Sequence, residues 1–308
     1  MKFSPFFRDS INCNSSEEVF SYLINTLKES ITKWDYFVNW NNVFSHIKDL
    51  EISLNILNYL IGKENIEEEF RNLLKKHPEV ANAIPLLVAC RKKNFNILKD
   101  FKNGEYLYEN YSFDFKNKKS HNEDEINKIV EFAKEIGLLA LFQSRRIKNC
   151  LDYLIGVEVG LDSNARKNRG GAMMEDIVEF YIAKITQRRN YQYIKQATAD
   201  KVRDEWNKVM TIDKSSRRID FAVFKGDELI LIETNFYAGG GSKLKSTAGE
   251  YRTMFDFWSN DGHKFIWITD GYGWKKAKKP LEETFNHIDY LLNLEMVAKG
   301  LLEKILCE

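Results

Sequence analysis

The chain has 308 residues, a formal net charge of +1, 44% hydrophobic and 30% charged residues. That length suits one large α/β domain or two modest ones, and the balance excludes a disordered chain. A charge near zero gives no global field for nucleic acid, so any phosphate binding must come from local basic patches.

From residue 15 to about 155 the sequence predicts helices. SSEEVFSYLINTL opens with a serine cap and two acids, then places Val19, Phe20, Leu23, Ile24 and Leu27 at helical spacing. Similar stripes run through 51–62, 65–75, 85–101 and 124–142. The polar and aromatic stretch 103–123 has no helical period and reads as a long loop or a short β excursion. No residue pattern in this half carries recognisable chemistry.

The texture changes near residue 160. GLDSNARKNRGGAMMEDIVEFYIAKI reads as a basic, glycine-containing turn followed by a helix, and YQYIKQAT as a strand. Residues 199–214 read as a polar insertion or a short helix. RRIDFAVF, the turn KGDE and ELILIETNFY give the densest β signal in the chain. AGGGSKLKS leads into another helix, KFIWITDG is a buried strand, and Pro280 opens a long C-terminal helix. This order predicts an α/β core with a mixed β-sheet flanked by helices over 156–308, preceded by a mainly helical region over 1–155.

Cys13, Cys90, Cys150 and Cys307 form no CxxC pair, and the five histidines form no HExxH or HxH group. Reduced thiols and no structural zinc are expected. The first residues lack the apolar core of a secretory signal, and no stretch approaches the ~18 apolar residues of a membrane span. A soluble, cytoplasmic protein is the expectation.

The chemistry is concentrated in one hairpin. A two-residue type II′ turn at Gly226-Asp227, glycine first, sets Asp220 directly opposite Glu233. Their Cβ atoms would then lie roughly 4.5–5.5 Å apart. Like charges opposed within apolar strands are destabilising unless a cation lies between them, and magnesium takes one or two protein carboxylates plus water and phosphate. A strand-edge acid paired with Arg217 or Arg218, or a register slipped by one residue, remains open on spacing alone. Asn235 shares the face of Glu233 and can orient water or a phosphate oxygen, a catalytic role, but it carries no positive charge; it also suits a strand-end turn.

An Asp on one strand followed by Glu-x-Lys on the next is the pattern of the PD-(D/E)xK nuclease superfamily. Asp220 and Glu233-Thr234-Asn235 resemble a variant of it with Asn in the lysine position. A longer match is more specific. LIETNFYAGGGSKLKSTAGEYRTMFDFW (231–258), FIWITDGYGWKKAKKPLEETFNHIDYLLNLEM (265–296) and GLDSNARKNRGGAMMEDIVE (160–179) resemble the type II restriction endonucleases of the DpnII/MboI group. The resemblance implies cleavage of double-stranded DNA at GATC, 5′ of the G, with magnesium dependence, blocking by adenine methylation and a cognate adenine methyltransferase. It also implies Asp220, Glu233 and the Thr234 carbonyl as metal ligands. An acid on the helix before the sheet often completes such sites; Glu175 takes that supporting role here, with Glu179 its competitor.

Ser242, Lys243 and Lys245 follow three glycines and precede a helix, a plausible phosphate cradle and a source for the missing cation. Asn164, Arg166, Lys167 and Arg169 could grip phosphates or read a guanine edge. Both clusters could equally be solvated loops. Lys275, Lys276, Lys278 and Lys279 form a further basic run. A palindromic target with one site per chain implies a homodimer. The neutral Asn235 leaves two alternatives, a non-cleaving DNA-binding protein of the same fold or a nuclease with another target.

Overall fold

A computed structural model describes residues 3–115, 118–163, 165–212 and 217–308. The chain forms two compact units, one made of Trp34–Arg166 and the other of Met1–Lys33 with Lys167–Glu308. The division drawn from the sequence at 155/156 therefore differs from these units at both ends, since the N-terminal segment belongs to the second.

The Trp34–Arg166 unit is mainly helical around its own core, in which Val43, Leu54, Phe70, Leu74, Val130, Phe142 and Leu154 are buried. It also contains a β-hairpin. Strand β1 (Asn94–Lys102) pairs antiparallel with β2 (Glu105–Ser112). The helix expected over 85–101 is thus a four-residue helix at Ile84–Leu87 followed by a strand. Asn103 and Gly104 turn the hairpin with φ of 53° and 83°, the doubly positive pattern of a type I′ turn.

The second unit is built on a five-stranded sheet in the order β3-β4-β5-β6-β7. These strands are β3 (Gln192–Ala197), β4 (Ile219–Lys225), β5 (Glu228–Phe236), β6 (Lys264–Asp270) and β7 (Tyr290–Leu292). The first three run antiparallel to their neighbours and β5, β6 and β7 run parallel, so the sheet is mixed. β5 reaches β6 through the Ser242–Asn260 helix, as a parallel pair requires a crossover. Both faces are covered, which explains the unbroken apolar runs Leu229–Ile232 and Phe265–Ile268, all buried. Trp258 and Trp267 are fully buried with their indole N–H groups satisfied by Thr211 O and Asn235 Oδ1.

Two expectations are corrected. The long helix from Pro280 ends at His287, and the chain continues as β7 and the helices Leu294–Ala298 and Leu301–Cys307. Tyr290, Leu291 and Leu292 are all buried, and a short apolar run does not by itself separate strand from helix. The turn after 160 does not contain its glycines: the described turn residue is Ala165, Gly160 lies in the last turn of the Cys150–Ser163 helix, and Gly170 and Gly171 lie inside Arg166–Arg189. Among the described residues no helix is long and apolar enough to cross a membrane.

Asp270, at the end of β6, ties distant segments together. Its carboxylate accepts from the backbone N–H groups of Lys28 (2.6 Å), Gly271 (2.7 Å) and Leu294 (2.9 Å) and is fully buried. The next residues approach β5's exit loop backbone to backbone. Tyr237 N donates to Asp270 O and Gly273 N to Tyr237 O. Gly271 has φ +108°, and a Cβ there would fall 2.2 Å from Tyr237 O, so no other residue fits. This contact fixes the start of the glycine-rich loop that carries the next helix.

Candidate active site

The hairpin register is the one expected from the turn. Lys225 faces Glu228 and Phe221 faces Ile232. Gly226 has φ +63° and Asp227 is outside the positive region, the φ pattern of a type II′ turn. The β4–β5 ladder ends at Phe221–Ile232, while β5 stays paired with β6 as far as Phe236–Asp270. β4 and β5 therefore part at a fork, and Asp220 stands in it. At this point the Thr234 N–H has lost its cross-strand partner, and Asp220 Oδ2 accepts from it at 2.8 Å and from Thr234 Oγ1 at 2.8 Å.

Glu233 is buried at 6% exposure, and its Oε2 accepts from Tyr251 Oη at 3.1 Å. Tyr251 comes from the Ser242–Asn260 helix and itself accepts from Asn235 Nδ2 at 2.9 Å. Asn235 Oδ1 accepts from Trp267 Nε1 and Thr269 Oγ1, and Thr269 Oγ1 accepts from Trp274 Nε1. Asn235 is thus held between Tyr251 and β6, where the parallel register places Trp267 beside Glu233 and Thr269 beside Asn235.

Glu175 lies on the Arg166–Arg189 helix and accepts from Gln196 Nε2 at 2.9 Å. Glu179, one turn on, is engaged by Lys195 Nζ at 2.7 Å and Tyr193 Oη at 3.2 Å. The Arg217 guanidinium reaches Glu250 at 2.6 Å, and its charge favours the Glu233 carboxylate.

The electrostatics are those of acids crowded together. Burial, then the charge of Asp220, pushes the Glu233 carboxyl well above its ordinary range; Tyr251 and Arg217 oppose this. Burial raises Asp220, against hydrogen bonds from Thr234 and Gln196 and the charge of Lys195. Burial and Asp220 raise Glu175. Such a set of hard oxygen donors in mutual repulsion fits a hard divalent cation. Among the described residues no group of three His, Cys, Asp or Glu side chains is arranged to hold a metal. The fitting donors are a pair, Asp220 and Glu233, with the Thr234 carbonyl as the main-chain candidate.

The raised carboxyls carry a stability consequence. Between the ordinary carboxylate range and the raised values the folded chain binds more protons than the unfolded one, so stability falls as pH rises through that interval. In EDTA, Glu233→Gln is therefore expected to be more stable than the parent at neutral pH. The gain should grow as pH rises above the ordinary glutamate range. It should vanish near pH 4.5, close to the ordinary glutamate range. Thermal unfolding of both proteins across pH checks this; a variant less stable at pH 7.5 contradicts it.

Ser242, Lys243 and Lys245 occupy the exposed first turn of the Ser242–Asn260 helix, with Leu244 buried between them. Arg166 and Arg169 lie in the first turn of the Arg166–Arg189 helix, and Arg166 Nε donates to Phe37 O at 3.1 Å. Asn164 and the Lys167 side chain lie outside the described residues. Sequence reasoning missed Tyr251 and Gln196. Tyr251 falls among the apolar positions of its helix, and no sequence signal marks Gln196.

The DpnII restriction endonuclease family model matches residues 19–304. The chain is 49% identical over 294 residues to the type II restriction enzyme MjaIII of Methanocaldococcus jannaschii, covering 94% of this chain and 99% of that protein. It is 39% identical to the type II restriction enzyme LlaDCHI of Lactococcus lactis subsp. cremoris, over 97% of this chain and 98% of the relative. The type II restriction enzyme DpnII of Streptococcus pneumoniae is 33% identical, over 93% and 98% of the two chains.

Proposed function

The chain belongs to the DpnII restriction endonuclease family and is a type II restriction enzyme acting on double-stranded DNA, and from that premise we propose that it cuts unmethylated GATC on the 5′ side of the G. The proposal includes magnesium as cofactor, blocking by adenine methylation, a cognate adenine methyltransferase and a homodimer that cuts one strand per subunit. Its support is the match of segments 160–179, 231–258 and 265–296 to the DpnII/MboI group. The observation that carries the site is the fork, where the β4–β5 ladder ends and Asp220 accepts from Thr234 N beside the buried Glu233.

In this reading Asp220 and Glu233 are the metal ligands of a PD-(D/E)xK-type core, joined by the Thr234 carbonyl. When bound, the ion supplies charge neutralisation at the scissile phosphate and a more acidic water. The chain's own residues hold the donors in place. Tyr251 donates to Glu233 and fixes its carboxylate, leaving the other oxygen for a ligand. Asn235 supports Tyr251 rather than moving a proton, since both ends of its amide are engaged. Glu175 adds negative charge near Asp220. Positive charge comes from Lys195, felt by both acids. Ser242, Lys243 and Lys245, at a helix N-terminus, are suited to the DNA backbone, as are Asn164, Arg166, Lys167 and Arg169.

Incubating a GATC duplex with protein and magnesium, then sequencing the ends, tests the proposal. The expected products carry GATC 5′ overhangs, and the adenine-methylated duplex stays intact. Ends mapped to another sequence would contradict it.

A further inference from the structure

Gln196 interrupts an otherwise regular strand. β3 pairs with β4 from Gln192–Phe224 to Lys195–Phe221, and pairing resumes at Ala197–Ile219. The position left out is Gln196 opposite Asp220. Its φ is +50°, the left-handed region that a side chain larger than glycine seldom occupies in a strand. Such a conformation persists only where the surroundings impose it, and it gathers at functional sites.

The surroundings here are specific. On one side Lys195 Nζ is held by Asp176 at 3.2 Å and Glu179 at 2.7 Å. On the other, Ala197 is fully buried and Thr198 caps the Ala199–Trp206 helix. The Gln196 carbonyl accepts from Lys201 Nζ at 3.1 Å. Between these anchors the side-chain amide reaches two acids. Nε2 donates to Glu175 Oε2 at 2.9 Å, and the β3–β4 register sets Gln196 opposite Asp220, whose carboxylate it favours.

A neutral amide between two carboxylates has a property that a lysine lacks. It donates to Glu175 and favours the Asp220 carboxylate without reducing the negative charge that a divalent cation needs. We propose that Gln196 is a positioning residue, holding Asp220 and Glu175 in a fixed arrangement ready for the divalent ion. This rests on the reading of Asp220 as a metal ligand. The kinked backbone is the device that points a residue of β3 at both acids, one from the helix and one from β4.

Gln196→Gly separates backbone from side chain, because glycine adopts this φ freely while losing the amide. The full-length variant is expected to fold with an unchanged circular-dichroism spectrum. Mn2+ binding, followed by electron paramagnetic resonance without DNA, should weaken about 10-fold or more, the usual effect of losing a group that orients a ligand. In cleavage assays kcat should fall at low Mg2+ and recover as Mg2+ is raised, with KM for DNA unchanged. Gln196→Asn, too short to span both acids, should behave like the glycine variant.

Asp220→Ala is measured in parallel. If it loses Mn2+ binding while Gln196→Gly binds Mn2+ as tightly as the parent, the positioning role of Gln196 is overturned and the metal site stands. If Asp220→Ala also binds like the parent, the metal site itself is overturned, and the role of Gln196 with it.

Discussion

Asp220→Ala and Glu233→Ala are each expected to lower the cleavage rate by ~10³-fold or more, equivalent to about 4 kcal/mol of transition-state stabilisation. Both residues sit where β4 and β5 part, and each substitution removes one of the two carboxylates assigned as metal ligands. DNA affinity in EDTA should be retained or increased, because removing a carboxylate near phosphate reduces repulsion. The double variant should lose no more than the weaker single variant does, since ligands of one ion act as a unit. Single-turnover cleavage with filter binding in EDTA measures both quantities. A variant that cuts at the parental rate would remove its residue from the site.

The second large effect is structural. Asp270→Ala is expected to destabilise the chain by about 3–5 kcal/mol, because it strands buried backbone donors that each cost roughly 1–3 kcal/mol when unsatisfied. Those donors, on Lys28, Gly271 and Leu294, join the N-terminal segment, the end of β6 and the Leu294–Ala298 helix. Asp270→Asn keeps an oxygen toward Lys28 and Gly271 and turns an N–H group toward Leu294 N. Its expected cost is that of one lost acceptor, about 1–3 kcal/mol. Urea unfolding of the three proteins gives the ranking. An alanine variant within about 1 kcal/mol of the parent would show that the three donors find other acceptors, against about 3 kcal/mol expected.

How far the sequence reveals this structure depends on whether the deciding interactions are local. The β4–β5 register follows from a two-residue turn with glycine first and a strand period of two, both readable within about fifteen residues. The Asn103-Gly104 turn is a strong hairpin signal of the same kind, but the helical spacing of apolar residues over 85–101 competes with it. The C-terminal segment misleads for a different reason. Leu281, Phe285, Ile288 and Leu292 keep helical spacing, yet the helix ends at His287, Tyr290–Leu292 pair with β6, and Asn293 then caps the next helix and donates to Leu23 O and Thr26 Oγ1. Leu23 lies 270 residues away in sequence.

The same distinction holds at the site. Asp220 and Glu233 could be named because their pairing is a property of one hairpin. That Asp220 turns to Thr234, that Tyr251 donates to Glu233 and that Asn235 is held by β6 all depend on where the ladder ends and on how a helix packs. The left-handed Gln196 leaves no trace in composition or periodicity, since any polar residue would suit the pattern of YQYIKQAT. The basic run at 166–169 resembles a turn because glycine follows it, whereas Gly170 and Gly171 are carried within the 24-residue helix Arg166–Arg189.

Anomalous scattering from crystals grown with Mn2+ would locate the ion without relying on activity. The fork predicts a peak about 2.0–2.2 Å from oxygens of both Asp220 and Glu233, close to the short distances of small divalent ions bound by oxygen. A peak held by other residues, with neither carboxylate among its ligands, would contradict the assignment.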